Sequence, residues 1–171
     1  VGYIVWNGHA PTTAGQVSIA LANGVKTIMQ LATPADMQIR LTGWGYSIDS
    51  TPPGIVEVEL LGADVAATTL TAFASADVIN LDPNGPPTRL SLGTALSGFN
   101  TTGGVEGTIV TSRMFDAQKI GAAAGNTDLN YDWVWPYQSG PIIAVSKFVR
   151  IRTTATSTTP TMLSYIAFDQ L

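Results

Sequence analysis

The chain contains no cysteine. That absence excludes a disulfide framework, a thiolate zinc site, an iron–sulfur cluster and a thiol nucleophile. Charge is also scarce: 8 Lys and Arg against 12 Asp and Glu make 12% of 171 residues, with a net charge of −4. Globular domains usually carry about 25% charged residues. A nucleic-acid partner is not expected, because binding through displaced counterions needs clustered Lys and Arg. A disordered acidic tail and a charged coiled coil are excluded on the same count. No apolar run approaches the ~18–20 residues of a spanning helix, so no membrane partner is expected. The first 25 residues carry no Asp, Glu, Lys or Arg. They do not read as a signal peptide, since a positive n-region is missing and Asn7, Gly8, His9, Pro11 and Thr12 interrupt the apolar residues. A start at Val1 is compatible with removal of an initiator Met.

What the chain does have is apolar content, 45%, and length enough for one domain with a substantial core. Its dominant pattern has period two. Met37, Ile39 and Leu41 alternate with Gln38, Arg40 and Thr42; Val56, Val58 and Leu60 with Glu57 and Glu59; Val149 and Ile151 with Phe148, Arg150 and Arg152. Such runs are half-buried antiparallel strands, and the eight apolar residues just named are expected inside. Val17–Leu21, Lys26–Ala32, Thr108–Phe115 and Met162–Phe168 are further strand candidates, rich in β-branched and aromatic residues. Asn23-Gly24 reads as a two-residue hairpin turn, and Thr51–Gly54, Asp82–Pro87, Gly103-Gly104 and Gly121–Asn126 as loops. Ala63–Ala76 reads as strand plus turn, with a short helical turn near Ala74–Ile79. No longer segment has a helical period. Eight to ten short strands with frequent turns make an all-β antiparallel sandwich or barrel. Ser and Thr fill 33 of the 171 positions, and the neutral surface they leave suits subunits that bury much of their exterior against neighbours.

Few residues offer chemistry. The single histidine, His9, sits in a turn-like segment, and no Gly-x-Ser-x-Gly elbow accompanies it, so a Ser–His–Asp relay is not expected. Glu57 and Glu59 share a strand face and read as its solvated side rather than as a glycosidase pair. Asn126, Asp128, Asn130 and Asp132 alternate like calcium ligands, but the sixth and twelfth positions hold Tyr131 and Tyr137 where an EF-hand needs Gly and Glu. No phosphate-binding loop is present: Gly43-Trp44-Gly45 and Gly121–Gly125 lack the spacing. The expected inventory is no enzyme, no metal and no cofactor. Tyr131, Trp133, Trp135 and Tyr137 occupy every second position. In an extended segment their rings share a face, which serves as a core stripe, a subunit interface or a platform on which sugars stack. Pro136 marks an edge or loop, favouring the interface over the core.

Several segments in order carry a resemblance: Lys26–Ala32, Arg40–Ser47, Val56–Leu60, Arg113–Gln118 and Ser146–Arg152. Together they resemble small structural proteins of tailed bacteriophages that decorate or cement the head, over about residues 26–168. The resemblance implies a jelly-roll or tumour-necrosis-factor-like sandwich that assembles as a homotrimer and binds the major capsid protein on the virion exterior, after synthesis in the host cytoplasm. It implies no enzyme activity and no cofactor. On this reading residues 1–25 are an N-terminal extended arm or first strands, and residues 26–171 are the sandwich. Tyr3, Ile4, Val5 and Trp6 are then apolar anchors on the capsid or a neighbouring subunit, unless they form the first strand of the protein's own sheet. The alternative function is a carbohydrate-binding module, receptor-binding or lectin-like, that uses the aromatic series.

Overall fold

Alternating residues commit the chain to strands, and the strands pair into two antiparallel sheets. In the computed structural model, which describes residues 2–102, 106, 112–121 and 129–171, the strands are β1 (Gly2–Trp6), β2 (Ile19–Ala20), β3 (Asn23–Ala32), β4 (Ile39–Ile48), β5 (Val56–Ala63), β6 (Thr71–Ala72), β7 (Val78–Asn80), β8 (Gly98–Phe99), β9 (Ser112–Ile120), β10 (Asn130–Val134), β11 (Ile142–Ile143), β12 (Phe148–Thr156) and β13 (Thr161–Gln170). Sheet A runs β10-β4-β13-β1-β7, with β11 added to β4 and β2 to β13; sheet B runs β6-β8-β3-β12-β5-β9. The eight principal strands in chain order are β1, β3, β4, β5, β9, β10, β12 and β13. In space they form β1-β13-β4-β10 facing β3-β12-β5-β9. Two interleaved Greek keys of this kind are a jelly roll, the fold that the resemblance implied.

The core lies between the sheets. All eight residues expected inside are buried: Met37, Ile39 and Leu41 from β4 and its approach, Val56, Val58 and Leu60 from β5, Val149 and Ile151 from β12. Trp44, Tyr3 and Phe168 join them from sheet A. Tyr3 and Phe168 stack with ring centroids 5.4 Å apart. The short helical turn expected near Ala74–Ile79 is a 3₁₀ turn over Ser75–Asp77.

Two expectations are corrected and one left open is decided. Of the two readings of the N-terminal segment, arm or first strand, the structure shows the strand: β1 pairs with β13 from Gly2 to Trp6 and with β7 from Tyr3 to Val5. Tyr3 and Val5 are fully buried, while Ile4 and Trp6 face the other side. A five-residue segment with apolar side chains on both faces gains more by filling a slot in its own sheet than by extending into water. Asn23-Gly24 does not close a hairpin, because β2 and β3 belong to different sheets. Both residues oppose Ala155, forming a bulge in which Gly24 takes φ +106°, a conformation glycine adopts without cost. Glu59 is not solvated: it is buried, and its Oε2 accepts from Arg152 Nε at 2.7 Å. Of the strand expected over 108–115, positions 112–115 open β9, while 108–111 lie outside the described residues, as do 103, 104 and 122–126 of the expected loops.

The two outer faces differ. The chain covers sheet B with its own loops. Gln30 donates to Leu96 O at 3.0 Å and accepts from Ala67 N at 3.0 Å, and the Ser97 hydroxyl accepts from Ala32 N at 2.8 Å. Under this cover the Arg150 side chain is fully buried; it donates to Glu106 Oε2 at 2.9 Å and to Val65 O. The outer face of sheet A has no comparable layer among the described residues, and this exposed face is where the candidate site lies.

Candidate interaction face

Register fixes which side chains meet on sheet A's outer face. Because Tyr3, Val5, Trp44, Ile166 and Phe168 point into the core, their strand neighbours point out. One row crosses five strands: Ile79 opposes Ile4, Ile4 opposes Ala167, Ala167 opposes Gly43, and Gly43 opposes Val134. No member is charged or polar. Ile79 is 42% and Val134 70% exposed. The adjacent row is Trp6, Tyr165, Gly45 and Asp132. Beyond it lie Leu163, Ser47 and Asn130. On the opposite flank Asp169 faces Arg40, and Arg40 faces Ile142.

Gly45 shapes the middle of this face. A Cβ there would collide with Asp132 Oδ1, Tyr131 O and Tyr165 Cε1. Its absence lets the Tyr165 hydroxyl reach across and donate to Asp132 Oδ1 at 2.9 Å. Burial, helped by the Asp132 carboxylate, pushes the Tyr165 phenol up to about 12. Trp6 and Tyr165 rings lie 4.9 Å apart, tilted by 45°. A shallow groove of about 350 Å³ opens beside this pair, between Trp6, Tyr165, Asp132, Asn130, Ser47 and Leu163.

The aromatic series expected to form one platform divides among three environments. β10 ends at Val134, so Tyr131 and Trp133 alone share a strand face. Tyr131 is half-buried, with its ring 5.4 Å from Trp44 and 5.7 Å from Tyr46. Trp133 is 47% exposed on the edge strand. Trp135 follows the strand, donates its backbone N–H to Thr42 O at 3.0 Å and packs half-buried against the core. Tyr137, beyond Pro136, is 88% exposed. The single-platform reading is therefore corrected: Pro136 ends the extended segment before it can align four rings. The outward-facing residues of β10 are the alternate ones, Asn130, Asp132 and Val134.

Tyr131 instead helps lock the sheets together. Asp116 on β9 accepts from the Tyr131 hydroxyl at 2.6 Å, from Trp44 Nε1 at 3.1 Å and from Gln118 Nε2 at 3.0 Å. Burial and the Asp116 carboxylate raise the Tyr131 phenol to about 12. The edge of sheet B is thus hydrogen-bonded to the edge of sheet A.

The remaining candidates have structural partners. His9 Nδ1 lies 2.7 Å from Asp77 Oδ2, and Asp77 also accepts from the Ala10 and Ala74 amides, each at 2.7 Å. Burial alone would raise the Asp77 carboxyl, but these donors outweigh it and hold the carboxyl below its ordinary value. The pair fastens the crossing segment after β1 to the 3₁₀ turn. Glu57 lies 3.5 Å from Lys119 and Glu59 is held by Arg152, so the two carboxylates serve separate cation pairs. Asn130 and Asp132 face outward from β10, while Asn126 and Asp128 lie outside the described residues. Among the described residues no three His, Cys, Asp or Glu side chains gather as metal ligands, and no helix is long and apolar enough to cross a membrane.

Trp6 and Val5 were grouped by sequence as anchors of one arm, yet the strand sends them to opposite faces. None of Tyr165, Ala167, Ile79, Gly43 and Val134 stands out in the sequence as part of an interaction face. The available signal was double-sided apolarity: Tyr3/Val5 and Ile4/Trp6 in β1, Met162/Ile166/Phe168 and Leu163/Tyr165/Ala167 in β13. A strand apolar on both faces is covered on both faces. The chain matches no protein-family model, no curated protein and no solved structure.

Proposed function

We propose that this chain is a non-enzymatic virion structural protein, which assembles as a homotrimer through the outer face of sheet A and decorates and stabilises a phage capsid by binding the major capsid protein on its exterior. The observation that carries this reading is the uncharged row Ile79, Ile4, Ala167, Gly43 and Val134, on a sheet face over which, among the described residues, the chain folds no second layer. Ile79 and Val134 at its two ends are exposed and Ile4 and Ala167 between them are half-buried, and an interface core depleted of charge is the usual composition. Desolvating it costs little, because the row contains no ion to strip of water. Cementing a shell requires area and shape rather than a reactive group. The segment resemblance to head-decoration proteins supplies the capsid as partner and the trimer as assembly state.

The assembly part is tested by sedimentation of the purified chain. A particle of three times 17.9 kDa is expected at micromolar concentration. Ala167→Lys, at the centre of the row and pointing outward, is expected to leave a folded monomer with an unchanged circular dichroism spectrum. A monomeric wild-type chain, or a trimer indifferent to Ala167→Lys, would overturn the assignment of this face.

A second reading, a carbohydrate-binding module, is favoured by one feature: the groove in which the tilted Trp6 and Tyr165 rings stand beside Asp132 and Asn130. Sugars stack on such rings and hydrogen-bond to such polar groups. On this reading a glycan array gives a hit that Trp6→Ala abolishes and Trp135→Ala leaves intact. Absence of any hit at millimolar sugar rejects it.

A further inference from the structure

Beyond the flank of sheet A's outer face that ends at Ile142, the structure forms an apolar cleft where the 142–148 segment meets the end of β5 and the start of β9. Its volume is about 230 Å³. The apolar lining comes from Phe115, Phe148, Ile142, Ile143, Ala63 and Ala144. Gly62 lets Phe115 approach, since a Cβ there would sit 3.1 Å from the Phe115 ring. An apolar cavity of roughly 150 Å³ is enough to take benzene, so this cleft has room for a ring or a short alkyl chain.

The cleft also carries charge. Arg113 and Lys147 both line it. The Arg113 guanidinium lies over the Phe115 ring, 5.4 Å from its centroid, a geometry that favours the cation electrostatically. Lys147 is fixed at its backbone: its N–H donates to Thr33 Oγ1 at 3.0 Å, and its carbonyl accepts from the Thr33 N–H at 3.0 Å. Neither cation makes an ion pair among the described residues, whereas Arg89, Lys119, Arg150 and Arg152 each do. In a chain with only 8 Lys and Arg, two such cations bordering one apolar cleft form a defined recognition element. Asp64 lines the same cleft, which leaves the formal charge of the three groups at one positive.

We propose that this cleft binds a small organic monoanion with an apolar body, of the medium-chain or aromatic carboxylate class. The body fills the space between Phe115, Phe148 and Ile143, and the carboxylate meets Arg113 and Lys147. Arg presents a planar fork to a carboxylate and Lys a mobile point charge, so the two accommodate one headgroup without demanding a single geometry. The proposal does not rest on assembly through sheet A, although Ile142 borders both surfaces.

The test uses the full chain and two probes of similar body, octanoate and 1-octanol, followed by heteronuclear NMR. Octanoate is expected to saturate at low-millimolar concentration or below, shifting the amides of Gly62, Phe115 and Ile143. 1-Octanol should bind at least fivefold more weakly. The double variant Arg113→Gln/Lys147→Gln is expected to weaken octanoate at least fivefold and leave 1-octanol unchanged, removing the preference. Ala144→Trp, an exposed position, should fill the cleft and block both probes. Equal affinity for the two probes, octanoate binding unchanged in the double variant, or octanoate shifts confined to residues outside the cleft would each overturn the proposal.

Discussion

Glu106→Gln tests the loop cover over sheet B most sharply. The Arg150 side chain is fully buried and Glu106 Oε2 lies 2.9 Å from its Nη1, while Thr27 Oγ1 donates to the same carboxyl group. Burial depresses the Arg150 pKa, and Glu106 opposes that shift. Neutralising Glu106 leaves the guanidinium charged and buried without its paired counter-charge, held only by neutral acceptors such as Val65 O and Glu106 O. Removing one partner of a buried pair costs about 3–5 kcal/mol. For a chain of this length each kcal/mol lowers Tm by roughly 2–4 °C, so a fall of about 10 °C is expected. Because the pair is shielded from solvent, the loss should persist in high salt. Arg150→Met combined with Glu106→Gln removes both charges and should recover most of the loss. Thermal and urea unfolding of wild type, the Glu106→Gln variant and the double variant measure this directly. A single Glu106→Gln variant within about 0.5 kcal/mol of wild type, or a double variant as unstable as the single, would refute the reasoning.

Three further outcomes are expected. Asp77 has a folded-state pKa held below the ordinary 3.8, so its stabilising contribution is present above the unfolded value and is lost as pH falls through the folded one; Asp77→Asn should flatten the acid limb of a stability-versus-pH curve below about pH 4, and an unchanged acid limb would contradict this. Tyr131 and Tyr165 should ionise near 12, followed as phenolate absorbance, with each Tyr→Phe variant removing one late step; their contribution is complete below the ordinary 10 and lost as pH rises through the folded value. Asp116→Ala strands Trp44 Nε1 and the Tyr131 hydroxyl, which should cost about 1–3 kcal/mol and change the near-ultraviolet circular dichroism while leaving the far-ultraviolet spectrum intact.

The fold was legible because burial in a sandwich follows the two-residue period. Met37, Ile39, Leu41, Val56, Val58, Leu60, Val149 and Ile151 are all inside, and each stood in a clean alternation. What the period does not encode is which outer face receives a second layer. Arg150 and Glu59 sit at outward positions in their strands, as expected, yet both are buried: the segment bearing Val65, distant in sequence, folds over Arg150, and Glu59 is held by Arg152 from the neighbouring strand. The choice between arm and first strand stays open in the sequence for a related reason. An uncharged, doubly apolar segment such as Tyr3–Trp6 fits either a foreign surface or an interior slot, and only the pairing with β13 and β7 distinguishes them. The aromatic series was misread because Pro136 was weighed as a sign of an edge but not as the end of the strand. The candidate face itself is a product of register. Ile79, Ile4, Ala167, Gly43 and Val134 come from five strands spread over the chain, and no local pattern brings them into one row.

The central claim is that this jelly roll is a virion subunit that buries the outer face of sheet A. Electron cryomicroscopy of purified virions, of the kind the proposal assigns the chain to, tests it most directly. The account predicts threefold clusters of 17.9 kDa subunits on the capsid exterior, with Ala167, Val134 and Ile79 at subunit contacts. A shell that lacks the chain, or one that carries it with those three residues facing solvent, would contradict it.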